Sequence, residues 1–314
     1  MKRLKSILLY ANETSSSGAA LRRAEALAAR NEALLSVVDV LPGSDGPRLT
    51  AGGLPEAQQA VVTARLRELV LLVTRACRRG VAVQVQVVIG RPSVEITRAV
   101  LRNGHDLVLL TAEADEGRRP GQLLGTTALR LLRECPCPVW LIKRDESGPH
   151  GRIVAAIDAG EDWSEKQQES LRVLELSASV AESDGSELRI VYCLGHWTSC
   201  NSARWLKNAL GHHRYRLDEL LARCDLSRVR HDVHMEGEPA VDIIAALCEE
   251  VDVLVMGTVW RSGPAGVLIG DAAEDSLARV DCSVLAVKPK GFITPVQFSE
   301  RSSSWSRVEE WWAA

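Results

Sequence analysis

The residues best placed to do chemistry are glycines and hydroxyls at the starts of two helical patterns. One set is Gly125-Thr126-Thr127; the other runs from Gly257-Thr258 past Trp260 to Gly270-Asp271. Glycines let backbone amides approach oxygen atoms, and a helix start offers free N–H groups and the positive end of a dipole, so both could hold an anion. Asp39 and Asp158 end predicted strands, where a carboxylate can bind a ligand or cap a turn.

Other constellations promise less. His231 and His234 fall three apart on a predicted strand, so they point to opposite faces and do not easily chelate one ion. His212-His213 has no partner at ligand spacing. Cys135-Pro136-Cys137 looks like a metal or redox pair, but Cys137 opens a strand and has a single counterpart, Cys282. No second pair completes a zinc site, so structural thiols are predicted. No nucleophile elbow, Ser/His/Asp arrangement or paired-carboxylate signature is visible, so neither a catalytic residue nor a metal ligand is assigned. Seven of the eight tryptophans follow residue 150; they either pack in cores and interfaces or line an apolar pocket or partner surface.

The elements that must carry these residues appear twice. Val87 to Pro92, Asp106 to Thr111, Gly125, and Cys137 to Lys143 return as Val233 to Pro239, Asp252 to Gly257, Gly270, and Cys282 to Lys288, at an offset of 145 to 147 residues. A constant offset of that length means two copies of a domain-sized unit, each with its own core. The boundaries read as 1–145 and 151–290, with a tail over 291–314 that leaves the repeat.

Each copy reads β-α-β-α-β-α-β-α-β. Strands are predicted at 5–11, 34–40, 81–89, 106–111 and 137–142, with helices at 17–32, 55–79, 92–103 and 125–134. The second copy has strands at 151–157, 187–193, 229–236, 252–256 and 282–287, with helices at 163–182, 202–224, 239–249 and 271–280. The strands are continuously apolar, as strands covered on both faces must be, and crossover helices between them give a right-handed, doubly wound parallel α/β sheet in each copy. Pro92 and Pro239 open helices at the position where a proline loses no hydrogen bond.

Charge divides the copies: residues 1–145 sum to +7 and residues 146–314 to −10. Either the halves attract and pack against each other, or the first half attracts an anion. The basic residues are scattered and match no groove-reading module, which excludes a nucleic-acid partner. The apolar run after Met1-Lys-Arg is too short for a signal peptide, and no stretch approaches the roughly 18 apolar residues that span a bilayer. With eight cysteines read as reduced core thiols, a cytoplasmic protein is expected.

The glycine-rich connection 257–270, the two Gly-x-Pro helix starts, and Cys135-Pro-Cys-Pro-Val-Trp-Leu-Ile-Lys143 together resemble the universal stress protein family. The end of the second copy, Lys288-Pro-Lys-Gly-Phe-Ile-Thr-Pro-Val296, resembles its tandem, E-type members. The resemblance implies a five-stranded sheet in each copy with strand order 3-2-1-4-5, a Rossmann-like fold of the adenine nucleotide alpha hydrolase type. It also implies an adenine-nucleotide pocket at the carboxyl ends of the first and fourth strands, where doubly wound sheets bind ligands. In nucleotide-binding members an Asp ending the first strand meets the adenine, and a Gly-x2-Gly-x9-Gly-(Ser/Thr) loop cradles phosphate.

Both copies depart from that pattern. The second keeps Asp158, Gly257 and Gly270, but Trp260 replaces the middle glycine and Asp271 the final Ser/Thr; a carboxylate there opposes phosphate by about 1 to 4 kcal/mol per charge pair. The first keeps Gly125-Thr126-Thr127 but has Ala11-Asn12 in place of the Asp, and Thr111 and Ala114 near the first two glycines. The leading reading is a non-catalytic stress-linked binding or regulatory protein with degenerate nucleotide pockets. A weak ATP-binding protein or ATPase is one alternative, and a sensor of an apolar or amphipathic ligand in the second half is another. ATP or another adenine nucleotide is the cofactor the resemblance implies, and a homodimer, a small molecule or a protein remain as partners.

Overall fold

The computed structural model describes residues 4–12, 17–43, 55–111, 125–143, 151–158, 163–193, 203–236, 251–258, 280, 282–297 and 306–308. The chain forms two compact units. One holds residues 3–147 and takes in the chain from Ile293; the other holds 148–292 with residues 1–2.

In the first unit, β1 (Ser6–Tyr10), β2 (Leu34–Pro42), β3 (Val83–Gly90), β4 (Leu107–Thr111) and β5 (Val139–Ile142) alternate with α1 (Ser17–Asn31), α2 (Glu56–Arg78), α3 (Pro92–Asn103) and α4 (Thr126–Glu134). The sheet order is β3-β2-β1-β4-β5, all parallel. In the second unit, β6 (Arg152–Asp158), α5 (Trp163–Asp184), β7 (Glu187–Cys193), α6 (Ala203–Ala222), β8 (His231–Glu236), β9 (Val253–Gly257) and β10 (Ser283–Val287) repeat the plan. Its order is β8-β7-β6-β9-β10, again parallel. Each sheet therefore has the order 3-2-1-4-5, and the doubly wound α/β fold is the one that the sequence periodicity and the resemblance imply. The helices expected at 239–249 and 271–280 lie outside the described residues.

The strands form because both faces are covered. Leu107 to Leu110 and Val253 to Met256 are buried without interruption, as are Ile7 to Leu9 and Ile153 to Ala156, which is why no polar residue alternates along them. Helix α3 starts on Pro92 and stops at Gly104, whose left-handed φ of 66° lets its N–H bond the Val100 carbonyl.

One device ties the strands in register in both units. Asp106, at the foot of β4, accepts the backbone N–H groups of Lys5 at 2.8 Å and Ser6 at 3.1 Å. Asp252, at the foot of β9, accepts those of Gly151 at 2.7 Å and Arg152 at 3.1 Å. A carboxylate bridging two amides fixes where the central strands start, and hence where their carboxyl ends finish.

The tail departs from expectation. Ser306–Val308, in a segment that carries no strand pattern in the sequence, forms a short strand, β11, antiparallel to β3, pairing Ser306 with Val87, Arg307 with Gln86 and Val308 with Val85. An edge strand offers free backbone groups to any passing extended segment, whatever its side chains.

Candidate functional site

The carboxyl ends of the two central strands meet at the point where the chain winds away to either side of the sheet. In the first unit Leu9 pairs with Leu109, so two residues further on Ala11 and Thr111 stand side by side. In the second Ala156 pairs with Met256, which sets Asp158 beside Thr258. This is the switch point of an open parallel sheet.

Of the residues singled out from sequence, Gly125 caps α4 in an extended conformation with no side chain closing the helix start, and its carbonyl takes the Leu129 N–H at 3.1 Å. Thr126 is exposed on the first turn of α4 and Thr127 is buried behind it. Gly257 ends β9, and Thr258 follows it with its N–H on the Val287 carbonyl at 2.9 Å. Asp158 is the last residue of β6, paired with Cys193; its side chain lies outside the described residues, as do Trp260, Gly270 and Asp271 entirely. The side chains of seven tryptophans also fall outside, and the eighth, Trp140, is fully buried in β5.

The hydroxyls of Thr111 and Thr258 are buried and make no hydrogen bond. Burying an unpaired hydroxyl costs about 1–3 kcal/mol, and both segments that follow these two threonines lie outside the described residues.

Four side chains that the sequence patterns did not point to shape the two ends. Arg65 of α2 donates through Nε to Asp39 at 2.5 Å, through one terminal nitrogen to Glu68 at 2.8 Å, and through the other to the Ala11 carbonyl at 3.4 Å. Asp39 does not end its strand. It lies inside β2, which runs on to Pro42, is 2 % exposed, and serves the Arg65 ion pair. Desolvation pulls the Arg65 guanidinium down, but its bonds to Glu68 and Asp39 more than offset this and hold it above its usual range.

In the second unit Tyr192 fills the place of Asp39, for both lie beside the same position of the first strand. Its hydroxyl meets Nδ1 of His213 at 3.2 Å, with the rings edge to face. His213 thus has a structural partner that spacing in the sequence does not reveal. Burial, then Arg216 and His212, push its imidazole below the usual range and favour the neutral form.

The remaining two are Arg23 of α1 and Glu169 of α5, which the 146-residue offset of the first helices sets in equivalent places. Both are buried, at 4 % and 6 % exposure. The Arg23 guanidinium lies 4.7 Å from the centre of the Trp140 ring, a cation–π contact. The Glu169 carboxylate packs on Gly257 so closely that a Cβ there would fall 2.5 Å from its Oε1. A larger residue there would force the Glu169 side chain to shift, which gives Gly257 a packing role. Lining up the two copies residue by residue is the signal that would have exposed this reversal of charge.

The other motifs resolve as local structure. His231 Nδ1 sits 3.0 Å from the Val229 carbonyl, while His234 meets Asp232 at 2.8 Å. Cys135 and Cys137 are buried with their sulfurs 3.6 Å apart, and burial pushes the Cys137 thiol well above its usual range. Among the described residues no cluster of three His, Cys, Asp or Glu side chains could hold a metal ion, and no helix is long and apolar enough to cross a membrane.

Comparison with known proteins agrees with this geometry. The model of the universal stress protein family matches twice, over residues 3–143 and 150–288. The chain belongs to the universal stress protein family. Among its curated relatives, Universal stress protein E of Photorhabdus laumondii is 26% identical over 69% of this chain and 73% of its own length. The Escherichia coli K12 protein of the same name is 27% identical over 70% and 73%. The Haemophilus influenzae homolog is 23% identical over 91% of this chain and 98% of its own. Among solved structures, a Pseudomonas aeruginosa PAO1 protein described as functionally unknown superposes with a TM-score of 0.67 at 21% identity, covering 91% of this chain and 93% of that one. A universal stress protein of Archaeoglobus fulgidus superposes at 0.61 with 19% identity, covering 90% and 96%. These likenesses span both units and establish the shared tandem fold.

Proposed function

We propose that this universal stress protein is a stress-linked binding and regulatory protein that turns over no substrate, and that its two nucleotide pockets have degenerated in opposite senses. The first is reduced to an anion-accepting end, built from Thr111, Gly125, Thr126 and Thr127 with the buried Arg23 cation behind it. The second keeps Asp158, Gly257 and Thr258 but opposes phosphate. The observation that carries this reading is the Glu169 carboxylate packed on Gly257, where the first unit has Arg23. Asp271 adds a second carboxylate at the far end of the same loop, and each such charge disfavours a phosphate oxygen by about 1 kcal/mol or more at contact range. Arg65, bonded to the carbonyl of Ala11, stands beside the strand end where an adenine-reading Asp is missing. Adenine nucleotide is therefore a weak ligand of the first unit. No disulfide joins the six described cysteines, which supports a place in the reducing cytoplasm.

Calorimetric titration of the full chain with ATP and magnesium tests this. Weak binding without ATP turnover is expected, diminished about fivefold by Arg23→Gln and undiminished by Glu169→Gln. Tight, magnesium-dependent binding with phosphate release would overturn it.

A further inference from the structure

We propose that β11 is an edge cap, and that the edge of β3 beneath it is a self-association surface which pairs with β3 of a second copy when the cap is released. The edge strands of the two units are protected in different ways. β8 ends the second sheet with the sequence HDVHME, and His231, Asp232 and His234 are exposed along it. Asp232 is held by Arg189 at 3.0 Å and by His234 at 2.8 Å, so ionic and polar groups that a pairing strand would have to desolvate stay on the edge. Charges of this kind blunt an edge without any cover.

β3 has no such defence. It reads VQVQVVIG, eight residues without a charge, six of them buried. A long apolar edge of this kind is a template for strand pairing. β11 pairs with it over three residues, Val85 to Val87. Among the described residues the lead-in meets the first unit where Arg98 Nε donates to the Gln297 carbonyl at 3.5 Å. The orientation also matters. β11 runs antiparallel whereas the ladders within each five-stranded sheet are parallel, which shows that this edge accepts an antiparallel strand. Antiparallel pairing of β3 with its own copy is the arrangement a two-fold axis generates, in which each strand offers the other the same surface.

The test compares the full chain with two uncapped forms, a chain ending at Gln297 and a full-length Arg307→Pro, Val308→Pro double variant, by chromatography with light scattering at matched concentrations. Proline removes ladder N–H groups without shortening the chain. Both uncapped forms are expected to double the mass of the full-chain species in a concentration-dependent way. Gln84→Lys, at a half-buried position outside the β11 register, should return the truncated chain to the original mass. Uncapped chains that keep the full-chain mass overturn the proposal, even if hydrogen exchange shows Val85 and Val87 deprotected. A mass increase that survives Gln84→Lys overturns it too, because the contact then lies elsewhere.

Discussion

The two repeats share one carboxylate clamp at the feet of their central strands and differ in charge at the tips. At the feet, Asp106 and Asp252 clamp the same pair of amides with distances that match to 0.1 Å. At the tips, Arg23 faces Glu169 in the alignment of the copies, and the Asp39–Arg65 ion pair is matched by a neutral Tyr192–His213 contact. The frame demands fixed chemistry because every strand's register depends on it. A ligand end constrains only the groups that meet the ligand, so the copies are free to reverse charge there while keeping one fold.

The sharpest way to break that comparison is to remove one member of each tip pair. Arg65→Met leaves Asp39, 2 % exposed, as a buried carboxylate without its main partner, and should cost about 3–5 kcal/mol of unfolding free energy. His213→Phe removes a neutral hydrogen bond to Tyr192 and should cost about 1 kcal/mol. Denaturant unfolding of both variants measures the difference. Equal costs would mean that the Arg65 pair is solvated and that the tips differ less than their chemistry suggests.

A second contrast lies at the feet, in His105 and its counterpart Val251. His105 is 4 % exposed, meets the Ser6 hydroxyl at 2.7 Å, and is pushed down to about 4 by burial, with Asp106 acting in the opposite sense. Because the folded value lies below the unfolded value of about 6.5, the unfolded chain takes up the proton first on acidification. Stability is therefore whole above pH 6.5 and falls between about 6.5 and 4, by at most about 3 kcal/mol. His105→Val, which installs the residue of the other copy, should lower stability at neutral pH by leaving Ser6 without that bond. It should also flatten the slope in this window. An unchanged slope would assign the acid sensitivity to other groups.

These contrasts also mark how far sequence alone reaches. Leu107 to Leu110 and Val253 to Met256 announce buried parallel strands because they are apolar without a break, and Pro92 announces a helix start; the fold follows from such local signals. Asp39 and Arg65 are 26 residues apart on different elements, so their ion pair exists only once β2 and α2 have packed. Arg23 and Glu169 each read as an ordinary helix charge until the strand ends are placed. β11 is invisible because its pairing comes from the free backbone of β3 and not from its own side chains. The sequence points to a place for a candidate site, through Gly125, Gly257 and Asp158, but carries no sign of the Arg23 and Glu169 charges.

The finest contrast concerns the two segments that sequence marks as anion-binding helix starts. The first copy offers Gly125-Thr126 and the second Gly270-Asp271, a hydroxyl against a carboxylate at the same step of the loop. Exchanging them should move affinity in opposite directions. Asp271→Ser removes a charge that opposes phosphate and should strengthen nucleotide binding in the second unit, whereas Thr126→Asp installs that charge and should weaken binding in the first. Each effect should be about 1 kcal/mol, or roughly fivefold, the size expected for a charge pair at contact range screened by water. Calorimetry at low and high salt separates charge from shape, since a Coulombic effect shrinks with ionic strength and a steric one does not. If Asp271→Ser changes nothing at low salt, the loop of the second unit is closed to anions by something other than charge. Trp260, which stands where the phosphate loop would have its middle glycine, then becomes the group to replace with glycine.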